Sequence, residues 1–115
     1  YREAPQVLRE KQINLLQEIK WICRKHDTDV KIIISPDYLQ VNINPADVKT
    51  LKRFFGKRNV FDFTGINEYT EDIHNYYEPG HYRPALGKRL MEKIYEPYIL
   101  SPNAKSPASP SPGTI

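Results

Sequence analysis

The chain is predicted to be an α/β fold with a short parallel sheet and helices packed on its faces. Three observations carry this. Val30-Lys31-Ile32-Ile33-Ile34 is short, β-branched and nearly continuous, as a strand covered on both sides must be. Asn59 to Phe63 reads as a second buried strand. Between them, Asn44-Pro45-Ala46-Asp47 marks a helix start, with an N-cap Asn, Pro in the first position and a carboxylate in the first turn. Strand, helix and strand in this order imply parallel neighbours joined by a right-handed crossover.

In chain order, residues 5–26 read as one amphipathic helix, with Leu8, Leu15, Leu16, Ile19, Ile22 and Cys23 at helical spacing. Trp21 lies beside that stripe. His26-Asp27-Thr28-Asp29 ends the helix with polar residues, His26 serving as a cation at its C-terminus. Ser35-Pro36-Asp37 stops the first strand, and residues 38–43 form either an irregular loop or a brief strand. Helix 45–56 presents Val48, Leu51, Phe54 and Phe55 to the core, and Gly56 closes it as a left-handed cap. The polar stretch 64–83 is a loop of functional length. Helix 84–95 follows, with Leu86, Leu90, Met91, Ile94 and Tyr95 on one face.

One domain is expected over residues 1–100, and the Pro/Ser-rich composition of 101–115 reads as a flexible tail. Two strands alone leave long unpaired edges, so the chain is expected to be the C-terminal portion of a larger α/β domain. A start at Tyr1 without Met suits a processed product or a cut-out piece. Self-association, pairing with a missing N-terminal part, or cover from segment 38–43 would each protect an edge. Helix 5–26 is expected on one face of the sheet.

Composition narrows the function classes. Hydrophobic residues at 39% and charged residues at 27% suit a globular domain with a modest core, and no apolar run approaches membrane-spanning length. A net charge of +3 is too mild to indicate nucleic acid. Lys49, Lys52, Arg53, Lys57 and Arg58 form a basic run without interleaved aromatic platforms, which reads as favourable charge at a helix C-terminus. The single Cys23 excludes an internal disulfide and any multi-Cys metal site. His74, His81, Glu71 and Glu78 fit no standard metal spacing, and no cofactor is expected.

Most of the chemistry is concentrated in Asn75-Tyr76-Tyr77-Glu78-Pro79-Gly80-His81-Tyr82-Arg83-Pro84. Pro79-Gly80 forces a turn that can bring Glu78 and His81 together. A carboxylate on one imidazole nitrogen orients the ring and leaves the other nitrogen to accept a proton from a nucleophile. In open α/β sheets ligands bind at the carboxyl ends of the strands, the edge from which Ser35-Pro36-Asp37 and segment 64–83 leave. A simpler role for both side chains is stabilising the start of helix 84–95.

Asp62-Phe63-Thr64-Gly65-Ile66-Asn67-Glu68 together with residues 75–84 resembles the C-terminal part of SGNH/GDSL-type hydrolases, over roughly residues 30–96. The closest likeness is to the bacterial cell-envelope branch with D-alanine-transfer and alginate-acetylation proteins. The resemblance implies a partial flavodoxin-like three-layer sandwich. It also implies an Asp-x-x-His block supplying two members of a Ser-His-Asp triad. His81 matches the histidine, and Glu78 stands where Asp is usual. The Gly-Asp-Ser block with the nucleophile has no counterpart here, so the isolated chain is expected to be inactive. The implied substrate is an acyl ester, on a cell-envelope polymer, with Tyr77, Tyr82, Arg83 and Asn67 as candidate substrate contacts. The implied parent protein is extracytoplasmic or membrane-associated. A non-catalytic binding or assembly module on the same fold is the other function class, favoured by the missing Gly-Asp-Ser.

Overall fold

The computed structural model describes residues 1–97; the expected tail at 101–115 lies outside them. In chain order the elements are β1 (Arg2–Glu3), α1 (Glu10–Lys25), β2 (Ile32–Ile34), β3 (Val41–Asn42), α2 (Pro45–Phe55), β4 (Val60–Asp62), β5 (Tyr76–Glu78), β6 (His81–Tyr82) and α3 (Pro84–Ile94). The fold is mixed α/β. β2 and β4 are parallel neighbours, with Ile32, Ile33 and Ile34 opposite Val60, Phe61 and Asp62, and α2 connects them. The expected crossover pair is therefore present.

Strand periodicity divides β2 between two cores. Ile33 packs with Phe63, Tyr76, Leu86, Leu90 and Ile94, a layer built from α3 and the segment after β4. Ile32 and Ile34 pack on the other face with Leu51, Phe55 and Val60, joined by Leu8 and Leu16. Leu86, Leu90 and Ile94 are almost fully buried, at the helical spacing expected for α3. Three adjacent isoleucines are thus the direct result of a strand with helices on both sides.

The first helix departs from its expected bounds. It begins at Glu10, and the residues before it are extended. The Asp47 carboxylate explains this. It is fully buried and accepts the backbone N–H groups of Val7 (2.9 Å) and Leu8 (3.1 Å). The Ala4 N–H donates to Asn42 O (2.8 Å), and β1 pairs in parallel with β3. A Pro5 suited to a helix start is overridden by these long-range bonds. Segment 38–43 thus does form a brief strand, but it pairs with β1 and covers neither β2 nor β4. α1 ends on Asp27 in the left-handed region (φ 50°). The Thr28 N–H returns to Cys23 O (2.8 Å) and the Asp27 N–H to Arg24 O (3.3 Å), a Schellman closure with Asp in the usual glycine position.

Gly56 also differs from its expected form. Its φ of 92° is positive, but a ψ of 142° carries the chain outward and not into the left-handed helical basin. The Asn59 side chain then donates to the last-turn carbonyl of Phe55 (2.8 Å). Segment 64–83 is not a bare loop. The Thr70 hydroxyl, fully buried, donates to Gly65 O (2.6 Å) and accepts the Asn67 N–H (3.0 Å), and the segment ends in the β5–β6 hairpin. Its polar residues satisfy one another where apolar periodicity is missing.

Two substitutions test this scaffold. Asp47→Ala strands two part-buried N–H donors, and an orphaned buried donor costs about 1–3 kcal/mol. Chemical denaturation is expected to show a loss of roughly 2–4 kcal/mol, with fast hydrogen exchange at Val7 and Leu8. Those amides staying protected would show that the segment is held by something else. Gly65 has φ 88°, and a Cβ there would lie 2.1 Å from Asn42 Oδ1. Gly65→Ala is therefore expected to cost at least ~2 kcal/mol by the same measurement, from strain and clash together.

Candidate functional site

β5 and β6 form an antiparallel hairpin around Pro79-Gly80, with Tyr76 opposite Tyr82 and Glu78 opposite His81. A register irregularity lies between those two pairs. The ladder continues where the Arg83 N–H donates to Asn75 O (2.7 Å). The tip is held from β2's side: the Tyr38 N–H donates to Pro79 O (2.9 Å), and Gly80 faces the Asp37 carboxylate. The Tyr38 and Tyr76 rings meet with centroids 5.7 Å apart. Segments following the carboxyl ends of β2 and β4 therefore converge on this turn.

Across the turn, His81 Nδ1 is in hydrogen-bond contact with Glu78 Oε1. Both side chains are well exposed, at 73% and 62%. A pair this open to water adds little to stability. A carboxylate at Nδ1 favours, in the neutral ring, the tautomer that carries its proton on that nitrogen. The remaining ring nitrogen, Nε2, is then the proton acceptor.

The other predicted residues have different surroundings. The Arg83 guanidinium lies over the Tyr77 ring, 4.3 Å from its centroid, while its Nε–H donates to Tyr76 O (3.2 Å). These two exposed side chains form a cation and ring platform on the same hairpin as His81. Tyr82 is half-buried against the core beside Gly87, so it anchors the hairpin to α3. Asn67 is engaged within the loop: its Nδ2 donates to Phe63 O (3.0 Å) and Thr64 O (3.2 Å), and its Oδ1 accepts the Tyr69 N–H (2.8 Å). Its visible role is to brace the loop. His74 is paired with Asp72 (3.0 Å) in the short turn before β5. The Asp72 carboxyl is held below its usual value, first by the His74 backbone N–H and then by the His74 side chain.

The Ser35-Pro36-Asp37 loop was expected on the same edge as segment 64–83; Tyr38, and the contact of this loop with the Pro79-Gly80 turn, were not. Position at the end of a buried strand was the available signal; contact with a turn some forty residues later was not. Elsewhere, Lys52 and Arg53 do lie in the last turn of α2. The fold adds a ring there, with Arg53 5.6 Å and Lys20 6.0 Å from the centroid of half-buried Phe54. Together with Arg24 they line a concavity of about 450 Å³. Among the described residues, no group of three or more His, Cys, Asp or Glu side chains could hold a metal ion. No helix there is long and apolar enough to cross a membrane. No protein-family model, curated protein or solved structure matches the chain.

The tyrosines below the hairpin give this region a pH signature. Burial raises the Tyr76 phenol above its usual value, with the Asp37 charge acting in the same direction, and its hydroxyl donates to Tyr69 O (2.7 Å). Tyr69 is raised as well, by burial and then by Glu68. Below pH of about 10 neither the folded nor the unfolded chain ionises these groups. Above it the unfolded chain loses its protons first, so stability falls as pH rises. Denaturation across the alkaline range is expected to show that fall, with a shallower slope in Tyr76→Phe. The same variant loses about 1 kcal/mol near neutrality with its hydrogen bond.

Proposed function

We propose that this chain is the C-terminal portion of an SGNH-like esterase or O-acyltransferase domain, a flavodoxin-like sandwich in which Glu78 and His81 are the acid and histidine of a triad. The observation that carries the reading is the contact between Glu78 and His81 Nδ1 across the Pro79-Gly80 turn. Glu replaces the expected Asp, and the longer side chain still reaches the ring. The position of the turn beside the loop leaving β2 supports the same reading.

In this mechanism a serine supplied by preceding sequence attacks the carbonyl of an acyl ester, and His81 Nε2 takes the serine proton. Glu78 stabilises the imidazolium. Collapse of the tetrahedral intermediate expels the alcohol, which receives that proton, and leaves an acyl-serine. Water or a second hydroxyl then takes the acyl group by the reverse sequence, giving hydrolysis or transfer. The Tyr77–Arg83 platform is placed to meet the polymer that carries the ester. The alternative is a non-catalytic binding or assembly module, favoured by the high exposure of both Glu78 and His81.

Two measurements test the assignment. Nitrogen NMR of neutral His81 is expected to show the proton on Nδ1 in the native chain and a redistribution toward Nε2 in Glu78→Ala. Identical tautomers in the two would remove the orienting role. In a polypeptide that also holds the serine, His81→Ala is expected to lower ester turnover about 10²–10⁴-fold or more. The chain alone should give no serine-reagent-sensitive turnover of aryl esters, and turnover that survives His81→Ala would sink the proposal.

A further inference from the structure

Among the described residues neither edge of the β2–β4 sheet is covered by a further strand, and the edge of β2 specifies what belongs there. The Phe63 N–H donates to Ile34 O (3.1 Å), so Ile34 turns its backbone polar groups toward β4. By strand alternation Ile33 turns its N–H and C=O the other way, and among the described residues no strand lies on that side. All three isoleucines of β2 remain only partly buried although side chains of two cores pack against them.

α1 is incomplete on the same side. None of its residues is fully buried. Leu16 joins the core under α1, and Lys20 reaches across to Phe54 of α2. Gln17, Lys20, Trp21 and Arg24 share a concavity with Phe54 and so mark the flank that faces α2. At about 100° per residue, Leu15, Ile19 and Ile22 fall on the opposite flank, roughly half a turn of the helix away. They are 54%, 46% and 50% exposed. A helix with α2 on one flank and the sheet beneath it therefore carries an apolar stripe on the flank beyond β2. The outer edge of β4 also has no strand beside it among the described residues, but Asp62 there is exposed and its carboxylate accepts the Thr64 N–H, so that edge is the more polar of the two.

We infer that the free edge of β2 is the docking site for a parallel β-strand that is apolar on both faces, with the Leu15–Ile19–Ile22 stripe of α1 covering one of them. The outward N–H and C=O of Ile33 select an extended partner. The two cores continue directly into the new strand, which selects its side chains. α1 and α2 belong to the same core layer, so α1 suits a connection between parallel neighbours. The inference deepens the reading above by naming where the rest of the domain joins. It rests on that reading only in so far as the chain is part of a larger sheet.

The probe is a short Lys-flanked Val-Ile-Val-Ile-Val peptide with a nitroxide on its N-terminus, added to the chain and followed by NMR. Exchange of the Ile33 amide is expected to slow about tenfold or more, with shifts in the Leu15, Ile19 and Ile22 methyls. The nitroxide is expected to broaden Lys31 more strongly than Ser35, as a parallel strand requires. Ile19→Lys, at an exposed position, should weaken the effect about tenfold while leaving the fold intact. Unchanged Ile33 exchange, or protection of β4's outer edge instead, would overturn the inference. So would Ile33 protection that rises with chain concentration in the absence of peptide, because a second copy would then be the occupant. None of these signals involves Glu78 or His81, so the failure of one reading is distinguishable from the failure of the other.

Discussion

The structure depends on one buried carboxylate. Asp47 sits in the first turn of α2 with no exposed surface, and its two oxygens hold the N–H groups of Val7 and Leu8. Its neighbour Asn44 caps the same helix through the Ala46 N–H (2.9 Å) and reaches back to Ala4 O (3.3 Å). One helix N-terminus therefore organises both its own start and the approach to α1. Burial of a carboxylate is tolerable only when its hydrogen bonds are made, and here the donors come from a segment some forty residues away. That bond sets where α1 begins. It also brings Leu8 and Leu16 against Leu51, Phe55 and Val60.

Where a rule depends on local sequence, the residues state the outcome. The parallel pairing of Ile32–Ile34 with Val60–Asp62, inside the expected strands 30–34 and 59–63, the Asn44-Pro45 helix start and the α3 face of Leu86, Leu90 and Ile94 all follow from short-range pattern. The departures have different causes. The helix start expected at Pro5 is overruled by Asp47, distant in sequence, the polar residues of 64–75 satisfy one another, and Gly56 leads into a turn in which Asn59 caps Phe55 O. Thr70 makes the point: a threonine in a polar run reads as surface, yet it is fully buried because its hydroxyl closes the loop on Gly65 and Asn67.

The candidate site was legible to the same degree. A turn between Glu78 and His81 is a local property, and Pro79-Gly80 announces it. Arg83 and Tyr77 stack because alternate hairpin positions bring them together. Asn67 could be grouped with them only by position in the sequence; its side chain belongs to the loop's internal hydrogen bonds. Asp37 was placed on the same edge by the strand that precedes it, whereas Tyr38 belongs to the site through space alone.

The bond from the Tyr38 N–H to Pro79 O has a mechanical consequence. β2 ends at Ile34, only a few residues before Tyr38, and Pro36 between them is buried. The strand and the hairpin tip are thus two ends of one short tether. Ordering of β2 is transmitted to the backbone beside His81, and loosening of the tip is transmitted back. Displacement of the hairpin tip and displacement of the end of β2 are therefore coupled, and a change that frees either end slackens both.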